Sequence, residues 1–559
     1  MTEKSNRPLI IGGLIAAALI YGYPLLLPTP LLEPDEGLHA TISQEMVEHG
    51  EWIVPTFRGE PFLDKPILYF WAQMVSLKAF GMNEFAVRLP GLMFGLLGAI
   101  TTGLLAGSLF GSRVGLLSCL VSMTMFIPLA LAQAAVHDVA LVPWTNLVVL
   151  CLWETERAAQ QTSRRRWLAG AAGMLGLAIL TKALIGVAIV GVGYGLFLIF
   201  SRTVSVGSCF RLMLAIVGGA VLASPWFIAM EIRIPGYAYY YFVERHVMGF
   251  ATSTQRHGDQ PWFYYLPYVT LGAMPWIWYI VPILRDEWCD RAKLSAIRPQ
   301  MVLLLCWFGG GLLFLSVAKS KLITYALPLF PALAILCAVS WQRFANQRMS
   351  DVSARWFVRM IRCAGSLGAV VPFVILFVCG LILGVSWSPA AWLLAITASI
   401  GSGVTWWAFE KRRFDHSAAM LSVWVASVTC LVMTWPFQLF AESHSERSLA
   451  NWINRQPVLP DHLILVGERP ASVLFYLFRD LRKQLSPTRF SSRRLEDFSP
   501  QTQLAPGEVL AVTHKKIAEA DVNQHAIPGA FTETVGQFQM FRRDERVPSL
   551  IHVATRSAQ

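Results

Sequence analysis

Apolar residues run along this chain in long blocks, each close to the ~20 residues a helix needs to cross a bilayer, and polar residues collect between them. The blocks centre on residues 8–29, 86–109, 113–133, 138–153, 167–182, 184–201, 209–230, 263–284, 300–318, 323–341, 364–386, 389–409 and 417–439, which predicts about thirteen membrane-spanning helices. The first block is too long, and lacks the cleavage pattern, for a removable signal peptide, so it is expected to stay as an anchor. Between the first two blocks, residues 41–49 and 66–80 mix apolar and polar positions at helical spacing and carry Tyr69 and Trp71, as helices lying in the interface plane would. After residue 440 the blocks stop. Residues 463–466 and 509–512 read as buried strands, 471–478 as a helix and 531–541 as a longer strand. The expected fold is an α-helical integral membrane protein in two domains, a transmembrane one over residues 1–440 and a small α/β one over 441–559.

Composition supports the membrane class, with 55% hydrophobic and 14% charged residues. If every block spans, Lys4 and Arg7, Arg164 to Arg166, Arg202 and Arg211, Arg285 to Arg298, Arg343 to Arg362 and Lys411 to Arg413 all fall on one side, which marks the cytoplasm. The net charge of +11 is then a topology signal with attraction to anionic lipid, not a nucleic-acid footprint. The same alternation puts residues 30–85, 136–138, 181–182, 231–262, 319–325 and everything beyond 440 on the outer face. A transporter or flippase, the non-enzyme alternative, would instead carry ionisable residues at mid-membrane depth and two related halves. Neither is visible. The nine cysteines lie in apolar blocks or cytoplasmic loops, which leaves no disulfide framework or cysteine zinc motif.

Candidate chemistry gathers in the outer segments. Glu33-Pro-Asp-Glu36 follows the first block, Gly50-Glu-Trp-Ile-Val-Pro55 comes next, and Asp64-Lys65-Pro66 precedes another apolar run. Acidic groups and a lysine at one membrane surface suit fixing a metal, deprotonating an acceptor or gripping a phosphate. Carboxylates with Pro34 also suit a helix start, but that accounts for one cluster and not for three in one loop. On a helix, Asp35 and Glu36 diverge by about 100° and take separate jobs. One is expected to face the reaction centre, while the other pairs with a base such as Lys65 or joins Glu33 or His39 at a divalent cation: zinc with imidazole, magnesium or manganese with carboxylates alone. Lys65, Lys182, Lys319 and Lys321 sit at outer ends of apolar runs, where each either snorkels or converges with Arg245 on a lipid phosphate. Asp138, next to His137 at a block end, is matched to Lys182 as an ion pair, structural or catalytic.

Taken in order, Pro34-Asp-Glu36, Gly50-Glu-Trp-Ile-Val-Pro55, Asp64-Lys-Pro66, Phe85-Ala-Val-Arg-Leu-Pro90, Leu180-Thr-Lys182, Pro261-Trp-Phe-Tyr-Tyr265, Pro275-Trp276 and Ser316-Val-Ala-Lys-Ser-Lys-Leu-Ile-Thr-Tyr325 resemble the GT-C superfamily. The resemblance is to its polyprenyl-phosphate-sugar glycosyltransferases, in the group that holds protein-mannosyltransferase-like bacterial enzymes and the lipid A aminoarabinose transferases. It implies inverting transfer of a sugar from a polyprenyl, expectedly undecaprenyl, phosphate to lipid A or another envelope acceptor, at the periplasmic face of the bacterial inner membrane. Another hexose or pentose delivered to a protein or glycolipid hydroxyl is the alternative. The implied catalytic residues are Asp35 and Glu36. Lys65, Arg245, Lys319, Lys321 and Tyr325 are expected at the donor phosphate, and Asp64, Asp138, Lys182 and His257 at the substrate. Two departures from the pattern stand out: Gly37-Leu-His39 where the aminoarabinose enzymes read Thr-Arg-Tyr, and Gly249 where an arginine precedes Phe250.

Overall fold

The computed structural model describes residues 6–201, 205–249, 260–289, 299–383, 389–434, 436–456, 462–466, 471–484, 490–493, 508–513, 531–536 and 538–542. His257, Lys4 and Arg202 lie outside the described residues. Within the described residues, every apolar block centres on helical structure. Among the described residues, eight helices are long and apolar enough to cross a membrane. Two bent pairs, Ser112–Thr124 with Phe126–Ala132 (65°) and Tyr265–Gly272 with Ile277–Asp286 (97°), raise the number to ten when each counts as one span. The figure falls below thirteen because Leu184–Phe200 is short and because Asp138–Arg157 and Gln161–Lys182 end in charged residues. The architecture is that of a multi-pass α-helical membrane protein.

The chain opens with α1 (Arg7–Ala17), α2 (Asp35–His49), α3 (Leu68–Phe80), α4 (Glu84–Phe110) and α5 (Ser112–Thr124). Then come α6 (Phe126–Ala132), α7 (Asp138–Arg157), α8 (Gln161–Lys182), α9 (Leu184–Phe200) and α10 (Val206–Arg233). Local signals set the ends: Asn83 Oδ1 accepts the Ala86 N–H at 2.9 Å to start α4, and Ser205 with Ser208 forms a reciprocal cap on α10. α4 packs on α5 and α7, α7 on α8, and α8 on α10. Asp351–Leu383, Pro389–Glu410 and Phe414–Thr434 pack in series, and the last closes on α1. Small residues allow the closest approach: a Cβ on Gly115 would lie 2.7 Å from the Gly103 carbonyl oxygen of α4.

α2 departs from the expected interface-lying helix. It is buried nearly all round, from Glu36 and Gly37 through His39 to Met46. It tolerates this because its polar residues are partnered. Thr41 donates to the Ala471 carbonyl (2.7 Å), Ser43 to Gln73 (2.8 Å), and the Glu45 carboxylate accepts the N–H groups of Arg58 (2.7 Å) and Gly59 (3.2 Å).

β1 (Thr56–Phe57) and β2 (Glu60–Pro61) pair antiparallel between α2 and α3, and the described residues beyond 440 form a five-stranded mixed sheet, made of β3 (His462–Val466), β4 (Phe490–Arg493), β5 (Glu508–Thr513), β6 (Phe531–Val535) and β7 (Phe538–Arg542) in the order β4-β3-β5-β7-β6. β3 runs parallel to β4 and β5, and β7 antiparallel to β5 and β6. The expected single strand over 531–541 is instead a hairpin, because Gly536 takes φ +58° and turns the chain so that Val535 pairs with Phe538. Two short helices, Arg447–Asn454 and Ser472–Tyr476, pack on each other, and Leu449, Ile453, Val473 and Leu474 share a core with Val509, Ala511, Phe538 and Met540 of the sheet.

Candidate functional site

Asp35 and Glu36 open α2, where the dipole favours carboxylates, yet their surroundings are opposite. Glu36 is 3% exposed and fully engaged. Its Oε1 accepts Arg88 Nε (2.9 Å) and the Ala135 N–H (2.9 Å), while its Oε2 accepts Arg88 Nη2 (2.7 Å) and the Leu32 N–H (2.9 Å). Arg88, 7% exposed on α4, spends its other donors on the carbonyls of Thr29 (2.5 Å) and Pro30 (2.8 Å). A bidentate pair with every lone pair satisfied is a clamp, not a reacting group. Asp35 is exposed and, of the two adjacent carboxylates, is the one left without a hydrogen bond or ion pair among the described residues.

Lys65, half-buried, likewise carries no hydrogen bond or ion pair among the described residues. It lies close enough to act electrostatically on His39, His137 and Lys182, and Asp35 acts on His39 and Lys182. Lys182, the last residue of α8, is buried, ion-paired with Asp138 at the start of α7, and has its ammonium 3.9 Å from the centre of the Tyr325 ring. The expected Asp138–Lys182 pair is present. Asp64 joins the neighbouring loop: Tyr240 donates to its Oδ1 at 2.7 Å and Arg245 Nε lies 3.4 Å from the same oxygen. Tyr240 and Arg245 both sit on a wide, π-type helical turn, Tyr239–Met248. Asp35, Lys65, Lys182, Asp138, Tyr325, Asp64 and Arg245, distant in sequence, thus form one cluster with three cations and three carboxylates.

Lys319 and Lys321 behave differently. Lys319 is exposed, whereas Lys321 is buried and donates to the carbonyls of Gln260 (3.1 Å) and Ala318 (2.5 Å), so its ammonium holds the loop together. The expected metal set of Glu33, Asp35 and His39 is not assembled. Among the described residues no three of His, Cys, Asp or Glu converge as ligands. Glu33 turns away to accept the Ser472 N–H (2.5 Å), and His39 binds the Ala135 carbonyl through Nδ1 (2.9 Å). Among the described residues this donor set does not fit a metal ion.

Three histidines line this cluster without adding charge. Burial, with Lys65 adding to it and Asp35 opposing, pushes His39 down to about 4. Burial first, then His39, Lys65 and Lys182, pushes His137 well below its ordinary range, and burial with Arg245, Lys65 and Lys182 lowers His246. Arg88 escaped the sequence reading, although an arginine inside the apolar run Phe85-Ala-Val-Arg-Leu-Pro90 is itself the signal that a buried carboxylate must answer it.

Residues 64–228, which run from Asp64 into α10, match the dolichyl-phosphate-mannose-protein mannosyltransferase family. The chain is 30% identical over 408 residues to the undecaprenyl phosphate-α-4-amino-4-deoxy-L-arabinose arabinosyl transferase of Photorhabdus laumondii, an alignment covering 72% of this chain and 71% of that protein. It is 34% identical over 344 residues to the second such transferase of Proteus mirabilis, where the alignment covers 60% of either chain. Its fold matches the crystal structure of ArnT from Cupriavidus metallidurans bound to undecaprenyl phosphate, with TM-score 0.73 over 95% of this chain and 97% of that one at 20% identity. Shared order of motifs, a common fold and identity over most of both sequences lead to one assignment: the chain belongs to the undecaprenyl phosphate-α-4-amino-4-deoxy-L-arabinose arabinosyl transferase family.

Proposed function

We propose that this protein is an inverting glycosyltransferase that moves 4-amino-4-deoxy-L-arabinose, or a closely related sugar, from undecaprenyl phosphate to lipid A or another envelope acceptor. The observation that carries this reading is the cluster in which Asp35 and Lys65 stand uncommitted beside two braced cations, Lys182 and Arg245. An oxygen of the acceptor attacks the anomeric carbon, the bond from that carbon to the phosphate oxygen breaks, and the electron pair leaves with undecaprenyl phosphate. Lys65 and Arg245 offset the charge that gathers on the departing phosphate, with Tyr325 and Lys319 at the margin. When the acceptor is a hydroxyl, Asp35 takes its proton; when it is a phosphate, no base is needed. Further to this reading, the chain spans about thirteen times, the cluster and the sheet beyond residue 440 face the periplasm, and the arginine-rich loops face the cytoplasm.

The test is turnover by the purified full-length protein, given undecaprenyl phosphate-aminoarabinose and lipid A and followed by mass spectrometry. The expected result is a lipid A mass gain of one aminoarabinose with release of undecaprenyl phosphate. Translocation of the intact donor without cleavage would defeat the reading in favour of a flippase.

A further inference from the structure

His39 lies one helical turn beyond Asp35 on α2, and at 4% exposure it is among the most buried polar groups beside the cluster. Its Nδ1 is 2.9 Å from the Ala135 carbonyl oxygen, and a carbonyl only accepts, so Nδ1 carries the proton. The amide of the same residue donates to Glu36 Oε1 at 2.9 Å. Ala135 is thus bonded on both faces of its backbone to α2, at a point where it is wholly buried. Three residues later the chain reaches Asp138, the partner of Lys182. The His39 ring is also fixed from the side, edge-on to His137 (4.3 Å between centroids) and to Phe70 (5.9 Å).

This double attachment has a geometric meaning. α2 carries Asp35, and the segment through Ala135 carries Asp138 and, by its ion pair, Lys182. Without the bonds at Ala135 the two acidic groups sit on separate elements with no direct contact. We propose that His39 is a positioning residue: donating from Nδ1 to the Ala135 carbonyl, it acts with Glu36 to fix the separation of Asp35 from the Asp138–Lys182 pair.

The proposal rests on the transferase reading for its activity arm and stands apart from it for its structural arm. Asparagine reaches as far as Nδ1 and can donate to the same carbonyl, whereas the glutamine amide lies one methylene further out, where Nε2 is. His39→Asn should therefore keep turnover of undecaprenyl phosphate-aminoarabinose within about threefold of the parent. His39→Gln should lower kcat about tenfold or more with the donor KM little changed, as expected when a buried hydrogen bond is lost and reacting groups are misplaced. Hydrogen exchange at the backbone of residues 133–138 should accelerate in the glutamine variant and stay protected in the asparagine variant, and this readout needs no activity. A packing role ranks the two variants by volume and favours glutamine. Glutamine equal to or better than asparagine in exchange protection overturns the proposal, as does equal loss in both. If the parent itself fails to turn over, the transferase reading falls and the exchange comparison alone decides the role of His39.

Discussion

Asp35 and Glu36 share a peptide bond and differ in every physical respect that matters to chemistry. An exposed carboxylate without a hydrogen bond among the described residues keeps its lone pairs for a ligand, while a buried one with four donors has none to give. Asp35→Asn keeps shape and helix-capping ability, so it should lower transfer roughly 10²- to 10⁴-fold, the range of a lost general base, with an unchanged thermal midpoint. Both are to be measured on one preparation, and near-normal turnover would end the assignment. Glu36→Gln should do the opposite first: it leaves Arg88 buried without its counter-charge, a loss of about 3–5 kcal/mol visible in thermal unfolding before any kinetic effect is read. The adjacency of the two acids was legible in the sequence, and so was their divergence on a helix. Which one faces the site was not, because that depends on Arg88, which lies 52 positions away in an otherwise apolar helix.

At the scale of elements, α2 shows how a helix of polar composition comes to be buried. The sequence marked its start and its helical spacing but read it as an interfacial helix, since the surface that covers it comes from beyond residue 440. Ser472 lies against its first turn so closely that a Cβ on Gly37 would be 2.6 Å from the Ser472 nitrogen and 2.3 Å from Glu33 Oε1. The contact leaves no room for a side chain at position 37. Gly37→Ala should cost about 1–3 kcal/mol and loosen the contact, which limited proteolysis of the segment beyond 440 would report; a variant as resistant as the parent would show that the contact yields easily. The same junction should respond to pH. Burial raises Glu33 from 4.5 to about 7. A carboxyl raised in the folded state contributes stability that is complete below its unfolded value and is lost as pH rises through about 7. The thermal midpoint should therefore fall between pH 5 and 8 more steeply in the parent than in Glu33→Gln, and parallel curves would show that Glu33 does not govern the junction. The hairpin at Gly536 was hidden for a related reason: an apolar run reads as one strand unless the glycine within it is known to take a left-handed turn.

For the whole molecule, the segment beyond residue 440 is joined to the preceding part of the chain by polar contacts from its helices. Tyr476 donates to Glu84 (3.0 Å) and accepts the Leu31 N–H (2.8 Å), Arg447 Nη1 lies 3.3 Å from Glu84, and Arg482 pairs with Glu48. A chain ending at residue 440 should insert in the membrane yet lose transfer by more than tenfold, with faster hydrogen exchange along α2; retained turnover would show that the later segment acts only on substrates. The apolar blocks told of a membrane protein, and the resemblance of the short motifs, taken in order, told of the family, since both are carried by local stretches of sequence. The cluster itself depends on contacts between residues dozens to hundreds of positions apart, which periodicity does not carry. The bond from Ser472 to Glu33 spans 439 positions. During synthesis at 5–20 residues per second, the first turn of α2 thus waits roughly 20 to 90 s for the backbone that completes its seat. Nascent chains, and chains cut short before residue 472, therefore lack the backbone amide that seats Glu33, however much of the membrane bundle has already been made.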